Sequence, residues 1–337
     1  CAAELKKQGK KLTTFSFDFI DNDKYFKANS FQPSQDRPYV DKMVSFLDSD
    51  HHYLECDNKM QADLLYRSVD AHDLPCMADI DSSLQYFCEE VSHSHKVVLT
   101  GECADEVFGG YPWFHREEML NSGTFPWTPS LTPRKVLLKD DLVKSLHMDE
   151  YVKKIYDRSV SEINVLPSEN EIETNRRRIG YLNIRFFMQT LLNRMDRTSM
   201  FSGLEARVPF ADRKLVDYVF NIPWEMKAKD GLVKNILRQA SKGLLPDEIL
   251  FRRKSPYPKT YNPYYENLLA KRLKEVLADS ASPLHSLLDL KQVTQFLENP
   301  KDYGAPWYGQ LMAGPQMIAY LLQIEYFLRK YNVSIRI

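Results

Sequence analysis

The densest set of groups able to do chemistry lies in LTGECADEVFGGY, Leu99 to Tyr111. An apolar strand runs into a Gly-Glu turn, a short acidic helix and a Gly-Gly stop. In open α/β sheets, ligands gather beyond the carboxyl ends of strands. Gly101 lets the backbone approach a ligand closely. Glu102, Asp105 and Glu106 crowd that strand end. Carboxylates there repel a phosphate unless a divalent cation comes with it, so the acids imply magnesium, most economically at Asp105. The same acids would also complement the dipole of the helix they open, and this segment alone leaves both readings standing.

A second cluster is ILFRRKSPYPKTYNP, where Arg252, Arg253 and Lys254 precede a Pro-rich loop with Lys259. Lys is a compact charge suited to a leaving pyrophosphate, although a basic run is also what a solvated surface carries. SGLEARVPFADRKL, Ser202 to Leu215, sets Glu205, Arg207 and Asp212 around a Pro turn and reads as a structural ion-pair corner. Among the twelve glycines only Gly9 precedes Gly101, so the first hundred residues hold no glycine-rich phosphate cradle. His51, His52, His93 and His95 lack the acidic partners that orient metal-binding imidazoles and are assigned no role.

The elements positioning these groups follow from periodicity. A short charged helix, Ala3 to Lys10, precedes the alternating strand Thr13 to Ile20. Then come a helix over Tyr39 to Leu47, a strand at His51 to Cys56, helices over Gln61 to Ser68 and Ser82 to Ser92, and the strand Lys96 to Leu99. This alternation predicts an α/β fold with an open, mostly parallel, doubly wound sheet. A helix ahead of the first strand suggests that the sheet's first strand and its turn lie upstream of Cys1. After Tyr111, prolines at 112, 126, 129 and 133 mark a loop-rich crossing into a helical half, so the chain divides into 1–111 and 112–337. Within the latter, Ile184, Met188, Leu191 and Met195 recur at helical spacing, and Gly203 ends that helix. Asp230 is expected to cap a further helix with Lys234 and Arg238 on one face.

With 45 basic against 46 acidic residues, no overall field draws the chain to nucleic acid or an anionic membrane. The stretch LMAGPQMIAYLLQIEYFL is interrupted by Gln316, Gln323 and Glu325 and does not read as a membrane span. The N-terminus resembles no secretory signal, and five scattered cysteines without a Cys-x-x-Cys pair fit a cytoplasmic location rather than a disulfide framework or a zinc site.

Taken in order, LTGECADEVFGGYPWF, NRMDRTSMFSGLEARVPFADRKL, KNILRQA and FRRKSPYPKT resemble the synthetase domain of asparagine synthetases, and the resemblance runs essentially end to end. It implies an adenine-nucleotide α-hydrolase-like fold and an enzyme that adenylates aspartate with ATP and magnesium, after which ammonia displaces AMP to give asparagine. Carried over by residue, Thr100 and Gly101 match the family's Ser-Gly whose backbone meets the nucleotide. Glu102 matches the acid that forms and resolves the adenylate, Asp105 a magnesium and pyrophosphate carboxylate, and Lys254 the lysine that stabilises phosphate charge. Phe17 sits where a backbone contacts adenine. Lys234 and Arg238 resemble a Lys-x-x-x-Arg near substrate or phosphates, and Asp79, Ser82 and Ser83 lie where substrate contacts are expected, Asp81 or Ser82 serving equally well as a helix cap.

Two departures from the family pattern are the Ser-Gly-Gly-x-Asp-Ser pyrophosphate loop, expected just before Cys1, and the glutaminase domain that supplies ammonia. Cys1 opens the helix after that loop and is not the glutaminase nucleophile. The expectation is a partial chain with little activity alone, with a homodimer open to the whole enzyme. Two other readings are a β-lactam-synthetase-like enzyme that adenylates another carboxylate, and a non-catalytic fragment.

Overall fold

The computed structural model describes residues 1–28, 32–298 and 314–336. Helix α1 (Ala2–Lys7) leads into β1 (Thr13–Phe19), α2 (Arg37–Leu47) and β2 (Asp50–Cys56). β1 and β2 pair in parallel from Thr13 opposite Asp50 to Phe19 opposite Cys56, with α2 as the crossover. Helix α3 (Asn58–His72) starts earlier than periodicity suggests because Asp57 caps it, accepting from the Met60 amide. Next come α4 (Asp79–Ser92), β3 (Val97–Leu99) and the short α5 (Ala104–Phe108).

The second half is helical, as its periodicity predicts. α6 (Glu171–Leu182) opens with a capping box in which Asn170 and Glu173 satisfy each other's backbone amides. It passes through a π-helical stretch, Asn183–Met188, into α7 (Gln189–Phe201). The Ile184 to Met195 stripe therefore straddles a widened turn, a feature that often marks a functional site. Gly203, at φ +72°, follows the helix end and turns the chain into β4 (Glu205–Arg207), which pairs in parallel with β3. α8 (Arg213–Phe220) is capped by Asp212. α9 (Asn235–Ala240) begins after Lys234 rather than at Asp230. Asp230 and Gly231 both have positive φ and make a tight turn bridged between Lys229 and Leu232, so Asp230 is no cap. α10 (Pro263–Ala278), α11 (Leu290–Glu298) and α12 (Gly314–Lys330) complete the described chain.

Among the described residues the strands form two separate parallel pairs, β1 with β2 and β3 with β4, instead of one continuous sheet. Both pairs rest on the same helices: Phe15, Leu54, Val98 and Ala206 pack against Leu84, Cys88 and Val91 of α4 and Met195 of α7. The largest core joins the two halves of the chain, bringing Ala62 and Leu65 of α3 against Leu269 and Leu273 of α10 and Ile318 and Leu322 of α12. Each such fully buried leucine contributes roughly 1.5–3 kcal/mol. This core anchors the helices that present the strand ends. No described helix is long and apolar enough to cross a membrane.

Candidate active site

The turn after β3 forms one wall of a cavity of about 480 Å3. The Thr100 amide donates to the Arg207 carbonyl at 3.0 Å, extending the β3–β4 pairing by one residue. Its Oγ1 then accepts from the Glu102 amide at 3.4 Å. A Cβ added at Gly101 would meet nothing within 4 Å, so the space above that backbone belongs to the cavity. Cys103 sits left-handed at φ 70° and starts α5, which Gly109 ends with φ +70°. Gly110 folds back so closely that a Cβ there would lie 1.9 Å from Asp105 Oδ1. Facing this turn are Phe17 from β1, Phe187 and Leu191 from the widened turn and α7, and the loop from Lys254 to Pro258.

Glu102 is fixed from α7. Arg194 Nη2 donates to Glu102 Oε1 at 2.6 Å, and its Nε lies 3.9 Å from Asp81 Oδ1. Burial works against the guanidinium charge, but Glu102 first and Asp81 second outweigh it and hold Arg194 above its ordinary pKa. Glu102 Oε2 is buried and has no hydrogen-bond partner among the described residues. One oxygen thus anchors the carboxylate and the other has no protein partner among the described residues. Tyr257 forms the adjoining wall, stacked on Phe17 with centroids 5.9 Å apart, and burial raises its phenol pKa.

Asp105 is held by two ammonium groups. Lys254 Nζ donates to Oδ2 at 2.6 Å and Lys234 Nζ pairs with Oδ1 at 2.8 Å. Burial opposes its charge, yet Lys254 and then Lys234 prevail and keep the carboxyl below its usual range. Glu106 behaves oppositely: burial raises its pKa against the hydrogen bond it accepts from Tyr111 at 2.5 Å. An ionised Asp105 fits a magnesium ion that arrives with phosphate oxygens and keeps its waters, because Mg2+ is commonly held by one or two carboxylates plus substrate phosphates.

A second cavity of about 450 Å3 shares Asp36, Asp105, Lys254 and Ser255 with the first and is lined further by Lys234, Arg238, Arg252 and Arg253. Arg238 donates to the carbonyls of Val233, Leu250 and Arg252, and so secures the backbone that precedes Lys254. Arg252 pairs with Asp36 and covers the Tyr39 ring at 4.0 Å. Lys234 thus reaches the carboxylate, while Arg238 braces the loop. The arrangement is a basic trough opening onto Asp105, able to receive several phosphate charges.

The structure brings Phe17, Thr100, Gly101, Glu102, Asp105 and Lys254 around the first cavity and Lys234 and Arg238 around the second. Asp79, Ser82 and Ser83 line neither. They occupy the first turn of α4, where the Ser82 and Ser83 hydroxyls donate to the carbonyls of Asp79 and Ile80. Asp81 accepts from the Met77 amide at 2.6 Å while facing Arg194, so it joins a backbone role to an electrostatic one. Arg194 and Tyr257 escape the sequence reading. The available signal for Arg194 is an arginine one helical turn from Leu191 and next to Met195, a charge on an otherwise apolar stripe.

The family described as "Asparagine synthase" matches residues 1–329. The glutamine-hydrolysing asparagine synthetase 3 of Bacillus subtilis is 47% identical over 336 residues, covering 99% of this chain and 54% of the relative. Asparagine synthetase 1 of the same organism is 28% identical over 66% of this chain and 40% of its own length. An amidase of Penicillium rubens is 26% identical over 76% of this chain and 46% of its own length. The chain spans about half the length of the curated relatives it matches.

Proposed function

Because this chain belongs to the asparagine synthase family, we propose that it carries the synthetase chemistry of an ATP-dependent carbon–nitrogen ligase. Aspartate attacks the α-phosphorus of ATP, pyrophosphate leaves, and ammonia then displaces AMP from the aspartyl-adenylate to give asparagine. The observation that carries this reading is the convergence, at one strand end, of an anchored carboxylate with a free oxygen and two lysines on a common acid.

The roles follow from charge. Lys254 and Lys234 neutralise the phosphates as negative charge moves onto the leaving pyrophosphate. Asp105 keeps both lysines in place and is the residue that would hold magnesium, which when bound adds neutralising charge at the phosphate oxygens. Glu102 Oε2 accepts the proton shed by attacking ammonia, and Arg194 aims that oxygen. The Phe17 and Tyr257 rings supply an apolar face for a nucleobase, with Thr100 and Gly101 at its edge. Arg238 acts by holding the Lys254 loop.

The same reading extends to the architecture. The two strand pairs flank a seat for one further parallel strand, which would join them into a single doubly wound sheet. Supporting this, they share helices α4 and α7, Phe15 touches His95 just before β3, and Val97 and Leu99 are 42% and 57% exposed although apolar. Residues 1–111 then supply most of the nucleotide side, and 112–337 a mainly helical complement that adds β4 and the Lys254 loop to it. A cytoplasmic location suits these substrates.

The amidase relative favours a second reading in which another carboxylate is adenylated on the same scaffold. The deciding experiment is aspartate-dependent, ATP-driven pyrophosphate release by the full-length protein with ammonia supplied directly. Loss of activity in Glu102→Ala and Lys254→Ala supports the proposal. A folded protein silent with aspartate but active with another carboxylate establishes the second reading.

A further inference from the structure

We infer that His72, Cys76 and Asp81 form a metal site for a borderline-soft divalent cation of the zinc type, built from residues other than Asp105 and coupled to Glu102 through Arg194. One ligand atom from each of the three lies within 4.8 Å of the others. His72 closes α3, and the connection to α4 is bent by left-handed conformations at Asp73 (φ 57°) and Ala78 (φ 50°, ψ −122°). The Ala78 conformation is one that side chains resist, and the surrounding structure has to impose it. Its effect is to fold Cys76 and Asp81 back against the helix end.

Hydrogen-bond accounting orients all three donors. His72 Nδ1 lies 2.8 Å from the Ser68 carbonyl, which can only accept, so Nδ1 carries the hydrogen. In the neutral ring Nε2 then presents a lone pair. That atom is buried, has no hydrogen-bond partner among the described residues, and lies 3.9 Å from Asp81 Oδ2. The same carboxylate oxygen accepts from the Met77 amide. Cys76 Sγ accepts from Gln323 Nε2 at 3.2 Å, and Gln323 is itself fixed by the Leu65 carbonyl and the Cys76 amide. A separate hydrogen bond thus positions each ligand atom, as metal-binding side chains require.

Charge points the same way. Among the described residues Arg194 is the one guanidinium facing both Glu102 and Asp81, at 2.6 and 3.9 Å, and carboxylates out of water favour further positive charge beside them. A divalent ion that displaces the Cys76 thiol proton to solvent adds one net positive charge next to Asp81. The thiol gives up its 3.5 Å contact to Ser68 Oγ and its hydrogen bond to Asp81, the carboxylate that would share the ion. An imidazole, thiolate and carboxylate set selects zinc or cobalt over magnesium or calcium.

The test is titration of the reduced, chelator-treated full-length protein with Co2+. We expect one equivalent to bind with a near-ultraviolet thiolate-to-cobalt band, which an oxygen-only site at Asp105 does not produce. Cys76→Ser, with near-ultraviolet circular dichroism intact, loses the band. Cys1→Ser keeps it, and Gln323→Leu weakens affinity about 10- to 100-fold. Absence of the band in wild type, or its persistence in Cys76→Ser, overturns the inference. Should Cys76→Ser not fold, X-ray absorption of the zinc-loaded wild type decides: one sulfur neighbour supports the site, and a shell of nitrogen and oxygen alone overturns it.

Discussion

Replacing Gly110 with alanine tests the active-site geometry at its tightest point. The new Cβ would lie 1.9 Å from Asp105 Oδ1 and 3.1 Å from the Asp105 Cα, so one contact is with backbone and cannot swing away. To clear it the carboxylate must retreat by roughly 1 Å, and a misplacement of that size costs about 10²-fold in rate. Overpacking of this kind destabilises by about 1–3 kcal/mol, a smaller matter than the lost register between Asp105 and its two lysines. Pyrophosphate release should therefore fall about a hundredfold while urea denaturation still shows a cooperative fold. Gly101→Ala, with nothing within 4 Å of its added Cβ, serves as the steric contrast in the denaturation experiment and should leave stability nearly unchanged. Unchanged activity in Gly110→Ala would refute the claim that the Asp105 position governs the reaction.

Arg194→Met leaves Glu102 and Asp81 buried without their cation and should destabilise by about 3–5 kcal/mol, with Glu102→Gln restoring part of the loss in the double variant; urea denaturation measures both. Burial raises the Asp79 pKa to about 7 against hydrogen bonding from Gln316. The folded state therefore keeps a proton that the unfolded state loses from its value of 3.8, and stability should fall as pH rises from near 4 to near 7. Asp79→Asn should flatten that dependence and be the more stable form at pH 8, by a few kcal/mol in chemical denaturation, at about 1.4 kcal/mol per pKa unit. Lys254→Ala should lower the rate about 10²- to 10³-fold, read by pyrophosphate release, and raise the Asp105 pKa, read by carbon NMR. Asp57→Ala removes the α3 cap and should cost about 1 kcal/mol in thermal unfolding.

The strand end at Leu99, the acidic helix behind it and the basic run at Arg252 to Lys254 were legible because each is a local pattern: strand into turn, dipole-matched acids, and charge adjacent in sequence. The strands and helices of the first half were legible for the same reason, although α1 stops at Lys7 rather than Lys10, α4 begins at Asp79 rather than Ser82, and the Asp57 cap carries α3 back to Asn58. Asp230 was misread because an Asp-Gly pair suits a left-handed turn as well as a cap, and the Lys229–Leu232 bridge selected the turn. Asp79, Ser82 and Ser83 are buried in the first turn of α4, where the two serine hydroxyls donate to backbone carbonyls and Ser83 also reaches the Tyr257 hydroxyl at 3.4 Å.

By itself, then, the sequence determined which residue types stand where chemistry can occur, because periodicity and capping act over a few residues. Only the tertiary structure decided which of them meet. Lys254 reaches Asp105 across 149 positions and Arg194 reaches Glu102 across 92, and no local rule encodes such pairings. They arise because packing at Leu65, Leu269 and Ile318 locks distant helices together, and a buried charge at a fixed place must then find an opposite one.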